Sequence, residues 1–504
     1  MPMRGGGFVS GSGTDHSQQD AIFATRTDLV IGSAGSEDEL ASAGDNFATD
    51  DIGNFINITA GTGFTPGRYE ILSVAAGVAT VDRNAGTADS TSGTGNLGGA
   101  ITYPTDAVWE TMEPGNTVHI ANDGTHATVN HDIAQAGTTT APITVIGYNT
   151  SRGDNPVGRD RPLLTPGANN SRWGQHWIVK YLDVRTTNAF GLFVNTGSVA
   201  YFCRAVNDGG ASSAEAIFPI GESAQAVFCE AINRTGNGFG LVTSQLYGCW
   251  AHDCLAGIAP GNNSSQVISF CLVDNCTTGI SGGSGSGMRI ANTTLYKGTD
   301  GVKFSGAASA GQLLNNIISD FTTGYNNTSD TFTFFSDYNI WNNTTERVNL
   351  TKGDNDSADL TDPGFTAPDK DFTDLVSDAA STSIVSSVAR PFVQGTDEGL
   401  VIIITGGSGF TVGIYEIASI DGSGNATLLS GEDTGTGTTG GEFTIPEDRN
   451  FSVGGNAKAF GFPGKWGDDS ATIGFLDAGA IQREEPAGGA GGGMPIVGGG
   501  GIVA

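Results

Sequence analysis

The sequence predicts an all-β chain: a right-handed, single-stranded parallel β-helix flanked by two homologous small β modules. Three observations carry this. Between residues 199 and 325, short apolar runs recur at intervals near 22 residues, and a fixed period of roughly 20–50 residues signals stacked repeats. Gly supplies 78 of 504 residues and only 15% are charged, a composition poor in the Ala, Glu, Lys and Leu that long helices need. A 24-residue segment near the N-terminus returns near the C-terminus at a constant offset of 346 residues.

In chain order, residues 1–27 are a Gly/Ser-rich arm whose composition supports no packed core. Polar residues follow its opening Met1–Phe8, where a secretory signal would place roughly 7–15 apolar ones, so no signal peptide is expected. Residues 28–104 form the first module and 392–447 the second. Asp51–Val74 and Asp397–Ile420 agree at 14 of 24 positions, with ITAGTGFTPGRYEI (58–71) facing ITGGSGFTVGIYEI (404–417). Each copy reads as strands joined by Gly-rich turns, a β-meander or small barrel of roughly 55 residues. The Gly-x-Gly runs lack the strand–turn–helix setting of a phosphate loop. Two copies flanking a solenoid are expected to cap its open strand edges or to touch neighbouring subunits.

Residues 105–391 are the β-helix. Val199–Asn207 (VAYFCRAVN) aligns with Gln225–Asn233 (QAVFCEAIN), Gln245–Asp253 (QLYGCWAHD) and Val267–Asn275 (VISFCLVDN). Gly238, Gly257, Gly279, Gly301 and Gly324 mark one point of successive units, spaced by 19, 22, 22 and 23 residues. Period-2 alternation broken by Gly, Asn, Asp and Ser gives short strands and turns. Parity turns Cys203, Cys229, Cys249 and Cys271 inward with Ala205, Ala231, Ala251 and Val273. It sets Asn207, Asn233, Asp253 and Asn275 at the strand end as a hydrogen-bonded ladder. Cys249 and Cys254 recur as Cys271 and Cys276 at a shift of 22, so the cysteines read as repeat positions and small core hydrophobes, not disulfides or zinc ligands. The outward columns are then Arg204, Glu230, Trp250, Leu272 and Val206, Ile232, His252, Asp274.

Gly115–Ile120 (GNTVHI), Gly137–Tyr148 (GTTTAPITVIGY), Ser336–Asn339 with Asn342 and Asn343, Asp362–Phe365 (DPGF) and Leu476–Gln482 (LDAGAIQ) resemble phrases of the pectate-lyase-like β-helix superfamily. The resemblance implies the fold and leaves activity open, since lyases, hydrolases, adhesins and phage tailspikes share it. For a lyase it implies an Arg or Lys base and calcium held by acidic residues. The coils offer Lys180, Lys297 and Lys303, none inside an Asp cluster. Residues 448–486 are a β segment closing on the helix, and 487–504 a Gly-rich tail whose Met494–Val497 and Ile502–Val503 suit docking on a partner.

His252 and Asp274 share an outward column on adjacent coils, one strand spacing of about 4.8 Å apart, with Glu230 and Arg204 on the next column. An exposed imidazole–carboxylate pair there is a candidate general acid and base for a sugar; the competing reading is an ordinary ladder pair. Asp208, Glu230, Asp253 and Asp274 are the carboxylates from which a hydrolytic pair roughly 5–10 Å apart would be drawn. His119, His126 and His131 crowd near Asp123 and Asp132 without a recurrent metal spacing. Asp354, Asp356 and Asp359 are candidate ligands of a structural calcium, as is the Asp421–Asn425 loop, although both lack the closing Glu of a calcium loop. No other cofactor is expected.

A net charge of −30 repels phosphate, so no nucleic-acid partner is expected, and with lysines and arginines scattered and no stretch reaching 18 apolar residues no membrane association is expected either. The expected function is a non-catalytic structural or adhesive protein, a bacteriophage virion component (fibre, spike or capsid-surface decoration) on a virion or extracellular surface. The expected partners are further copies of itself in a homo-trimer or larger assembly, other virion proteins through tails and modules, and cell-surface glycan. A polysaccharide lyase or hydrolase, and a bacterial surface or filament protein, are the alternatives.

Overall fold

The computed structural model describes residues 22–453 except 45, 53–54, 99–113, 116, 123–124, 127–130, 150–153, 168–169, 188–189, 208–214, 220, 262–265, 284–286, 306–309, 329–332, 355, 358–361, 379–380, 430–433 and 436–438. They divide into two compact units, on either side of residue 209. Among the described residues, apart from three short 3-10 turns, every regular element is a strand.

The first unit opens with a closed antiparallel barrel of six strands, Ile22–Ile31, Glu39–Ser42, Phe55–Ala60, Gly67–Ala75, Val78–Val81 and Gly93–Gly98. Around the barrel they run first, second, fifth, fourth, third, sixth. Leu29, Leu40, Ile56, Tyr69, Ile71 and Leu97 fill its core. The Gly-x-Gly-Phe turn earns its glycines sterically. A Cβ on Gly61, at φ +140°, would meet the Phe64 ring at 2.6 Å and the Gly93 backbone at 2.8 Å. After the barrel, Thr117–Ala121, Ile143–Tyr148, Trp177–Lys180 and Val199–Tyr201 pair in parallel succession. A second parallel ladder joins Leu163–Gly167, Asp183–Thr186 and Arg204–Asn207.

The second unit continues the same coil pattern, three short strands per turn. One ladder runs Gln225–Val227, Gln245–Tyr247, Val267–Ser269, Met288–Ala291, Ala310–Leu314, Thr333–Asp337. The next runs Glu230–Asn233, Trp250–His252, Leu272–Asp274 and on through the starts of Thr294–Phe304 and Ile317–Asn327. The third joins Ile217–Pro219, Asn237–Leu241, Ala256–Pro260 and Thr278–Gly282. Every register keeps equivalent residues in line, so Ala226, Leu246, Ile268, Ile290 and Leu313 stack in one buried file and Ala231, Ala251, Val273 and Leu295 in another. A one-residue slip would turn such a file outward, which fixes the register. Among the described residues the last strand of the parallel ladders is Thr345–Val348.

All six cysteines are buried free thiols. Cys229, Cys249 and Cys271 occupy one file just inside a turn, and the file continues as Thr293, Asn316 and Asn339. The asparagine ladder therefore stands on the cysteine file: Asn316 Oδ1 accepts the Thr293 amide and Asn339 Oδ1 the Asn316 amide, both at 2.9 Å. At the expected ladder, Asn275 Nδ2 does donate to Asp253, but Asn233 turns to the Asn237 carbonyl of its own coil.

The second barrel repeats the first in strand order: Asp371–Asp378, Ser381–Ser386, Val401–Gly406, Gly413–Ile420, Ala426–Leu428, Gly441–Thr444. Its strands lie between residues 371 and 444, and those of the first between 22 and 98. The sequence match covers mainly the third and fourth strands, whereas closure needs all six. The copies share fine detail. Tyr69 and Tyr415 donate to the carbonyls of Thr65 and Thr411 at 2.8 and 2.7 Å. Asp28 and Asp374 each accept a serine hydroxyl at 2.6 Å, from Ser42 and Ser387.

The barrel's two connections return side by side. Phe365–Ala367, entering, pairs antiparallel with Asn450–Val453, leaving. Phe365 and Phe451 of this ribbon pack on Trp250, Leu272 and Tyr296 of the coils. The second module is thus fastened to the flank of the stack, where capping of an open end was expected. Residues beyond 453 of the closing segment, and both Gly-rich termini, lie outside the described residues.

Candidate functional site

The ribbon decides the fate of the outward columns. His252 and Asp274 are in register on adjacent coils, as expected, but they are 0% and 1% exposed. The anticipated surface pair is an interior cluster, because the Asn450–Val453 connection brings Arg449 down onto it. Arg449 donates to Asp253 at 3.2 Å and to Asp274. His252 Nδ1 meets Asp253 at 2.9 Å and Nε2 meets Glu230 at 3.2 Å. Asp274 also accepts the Trp250 indole at 2.5 Å.

Burial alone would lower the His252 pKa, but hydrogen bonds and charge from Asp253 and Glu230 outweigh it and raise it to about 10. The imidazolium is therefore the resting form. Burial also opposes the Asp253 charge, yet Arg449 and His252 hold that carboxyl well below the usual carboxylate range. At Asp274 burial wins over Arg449 and pushes the carboxyl up. Three carboxyls thus face two cations, and the one most cut off from water is the readiest to take a proton. A general acid or base must reach its substrate; here both ring nitrogens are taken and the imidazole is sealed off. The cluster does structural work.

Arg204, in the first unit, is likewise buried, its Nε donating to Asp183 at 2.8 Å. Asp208 lies outside the described residues, as do Asp123 and the side chains of His126 and His131.

Asp356 is buried, and its oxygens accept the Ser336 hydroxyl at 2.6 Å and the amides of Asn339 and Gly353 at 2.8 and 2.9 Å. Those donors present positive ends, the opposite of a cation's needs. Asp354 is exposed, and Asp359 lies outside the described residues. The Asp421 carboxylate closes its own turn on the amides of Ser423 and Asn425 at 2.8 and 2.9 Å. Among the described residues no three His, Cys, Asp or Glu side chains group as metal ligands.

A polar cluster that the sequence did not reveal sits one coil beyond Asp274, with Lys297, Asp369 and Asp371 open to solvent and Tyr296 buried beneath them. Tyr296 donates to Asp369 at 2.7 Å, and Lys297 pairs with Asp369 at 2.7 Å and Asp371 at 3.4 Å. Asp320 on the next coil also faces the Tyr296 hydroxyl; burial and then these carboxylates raise the phenol's pKa. Beside it a groove of about 320 Å³ is lined by Asp320, Thr322, Asn342, Asn343 and Thr344. A left-handed corner at Asp253, Asn275, Lys297 and Asp320 (φ 50–63°) runs along this edge. Its equal spacing in the repeat was the available signal; Asp369 and Arg449, arriving from a distant segment, had none. Lys303 pairs with Asp300 at 2.9 Å and Lys180 lies over the Tyr201 ring.

These coils give the chain a parallel β-helix fold. No family model and no curated protein matches it. Solved structures similar to it include pectate lyase Pel9A (16% identity, 76% of this chain and 92% of that one, TM-score 0.39). XylC in complex with xylose is 10% identical over 82% of this chain and 72% of its own, TM-score 0.36. The tailspike gp49 of Pseudomonas phage LKA1 is 9% identical over 83% and 80%, TM-score 0.17.

Proposed function

We propose that the chain is a non-catalytic, glycan-binding β-helix displayed on a particle or cell surface, in the first place as a bacteriophage virion component. The observation that carries the non-catalytic part is the fate of His252, Asp274 and Arg204: each is buried and committed to a structural partner. A surface role is supported by the charge of −30, which favours solubility and mutual repulsion at high local density. Two copies of one barrel suit it to contacts with neighbouring proteins. The groove lined by Asp320, Asn342 and Thr344 favours a second reading, a polysaccharide hydrolase or lyase acting there.

The test is a panel of neutral and anionic polysaccharides incubated with micromolar protein, read both for bound protein and for released oligosaccharides by mass spectrometry. Binding without products is expected. Products that disappear with Asp320→Asn would establish the second reading instead. Antibody labelling of particles, against labelling of bacterial envelopes, separates a virion component from a bacterial surface protein.

A further inference from the structure

The outer face of the ladder that begins at Gln225–Val227 differs from the rest of this acidic chain. Its outward positions in the first three coils of the second unit include Gln225, Gln245, Tyr247 and Ser269, with no carboxylate among them. At the turn that follows each strand stand Phe228, Gly248 and Phe270. Phe228 and Phe270 are held at φ 52° and 58°, a left-handed conformation in which a bulky residue is a genuine outlier. The same turn in later coils carries Asn292 and Asn315 at φ 51° and 58°, residues that accept it readily. Aromatic rings are thus kept where asparagine would serve the backbone better, and such strain marks function more often than packing.

The rings form a continuous strip. Phe228 and Tyr247 have centroids 5.6 Å apart, and Tyr247 and Phe270 5.0 Å. Gly248 makes room for it, since a Cβ there would meet the Phe228 ring at 2.5 Å. Tyr247 is 43% exposed. The first unit has the same device in Tyr181 and Phe202, stacked at 5.4 Å with both residues at positive φ.

We infer that this strip is the binding face for a neutral polysaccharide lying along the coil axis, an inference that rests on the glycan-binding reading above. Charge selects the occupant. A chain of net charge −30 repels polyuronates and other copies of itself, whereas a carboxylate-free face asks no counter-charge of its ligand. Ring faces stack on the C–H faces of sugars, and glutamine amides both donate to and accept from hydroxyls. The coil repeat of about 4.8 Å sets one ring per coil along the strip, with successive rings turned 81° and 54° to one another so that faces and edges alternate toward the ligand.

The experiment is calorimetric titration of the full chain with hexasaccharides of glucan, mannan and xylan, and with hexagalacturonate. The variants are Tyr247→Ser, Phe270→Asn and Phe270→Tyr. At least one neutral hexasaccharide should bind and hexagalacturonate should not. Tyr247→Ser and Phe270→Asn should each weaken binding about tenfold. Phe270→Asn should leave Tm unchanged or higher, because asparagine suits the turn, and Phe270→Tyr should retain binding. Neutral-glycan binding that survives both substitutions overturns this face while leaving the glycan-binding reading intact. Absence of binding to every sugar overturns both. A fall in native mass by light scattering in these variants, with glycan affinity unchanged, assigns the strip to subunit contact and overturns the inference.

Discussion

Replacing Arg449 by methionine keeps most of the aliphatic stem and removes the guanidinium from between Asp253 and Asp274. Arg449 is 4% exposed and the two carboxylates 5% and 1%, so solvent screens none of the three. Breaking a buried pair from one side costs about 3–5 kcal/mol, because the surviving charge is left without compensation. Asp253 keeps His252 and Asn275 as donors, so the loss falls mainly on Asp274. That carboxyl already sits above its usual pKa, burial being the cause, and it escapes part of the penalty by taking a proton. The lower end of the range, about 3 kcal/mol at pH 7, is therefore expected. An acid whose folded pKa exceeds its unfolded value loses stability as pH rises, so the deficit should be smaller at pH 5 than at pH 8. Asp274→Asn in the Arg449→Met background should recover part of it. The assay is hydrogen exchange of Phe365–Ala367 and Asn450–Val453, with urea unfolding followed by tryptophan fluorescence. A deficit under about 1 kcal/mol, independent of pH and with ribbon amides protected as in the parent, would refute the account.

His252 gives the opposite kind of pH test. Its pKa is raised to about 10, so the stability it contributes is complete below about 6.5 and is lost as pH rises toward 10. His252→Gln should flatten the alkaline limb of the urea midpoint; an unchanged limb refutes the assignment. Asp28 and Asp374 are held below the usual carboxylate range. At Asp28 the Ser42 hydroxyl is the main cause; at Asp374 burial opposes the shift, and Ser387 with the amides of Ala389 and Val388 overrides it. Stability from both is present at neutral pH and lost on acidification, so Asp28→Asn and Asp374→Asn should each flatten the acid limb, read from midpoints between pH 3 and 6. The six buried thiols should resist a chromophoric disulfide reagent in the native protein and all react in denaturant; fewer than six without added reductant would reveal a disulfide. Lys297→Met should cost under about 1 kcal/mol, since that pair is 40% and 51% exposed.

The coil pattern was legible because each of its rules is local and repeated. Cys229, Cys249 and Cys271 announce an inward file by parity alone, and their registers in space are those of the alignment. The barrel copies were legible for the same reason, through Gly61–Phe64 and Gly407–Phe410. Their boundaries were not: Thr27–Val30 of the first strand does return as Thr373–Val376 at the same offset of 346, but this match lies apart from the 51–74 segment and the second strands share little sequence. The exposure of His252 and Asp274 was misjudged because parity says which side of a strand a residue occupies and nothing about what later covers that side. Trp250 and Leu272, apolar on an outward column, were the hint that something would. The Asn316–Asn339 ladder was missed because it continues a file of cysteines, whereas Asn207, Asn233, Asp253 and Asn275 stand out by their alternation in the aligned segments. Only hydrogen-bond partners separate a ladder from a row.

The partners of the flank cluster are far apart along the chain: Asp253 and Arg449 are separated by 196 residues. On a ribosome adding roughly 5–20 residues per second, the coils around His252 emerge at least several seconds before the arginine that completes them. During that interval the Trp250–Leu272–Tyr296 face stays uncovered and Asp274 lacks its guanidinium partner. The ribbon forms only when its entering and leaving strands can meet, which a folded barrel ensures by holding its own two ends together. Order of synthesis thus becomes order of assembly, with the barrel acting as the clasp that admits the last strand. A chain halted before residue 449 would expose that aromatic face, which makes it the segment for chaperones and proteases to recognise in an unfinished molecule.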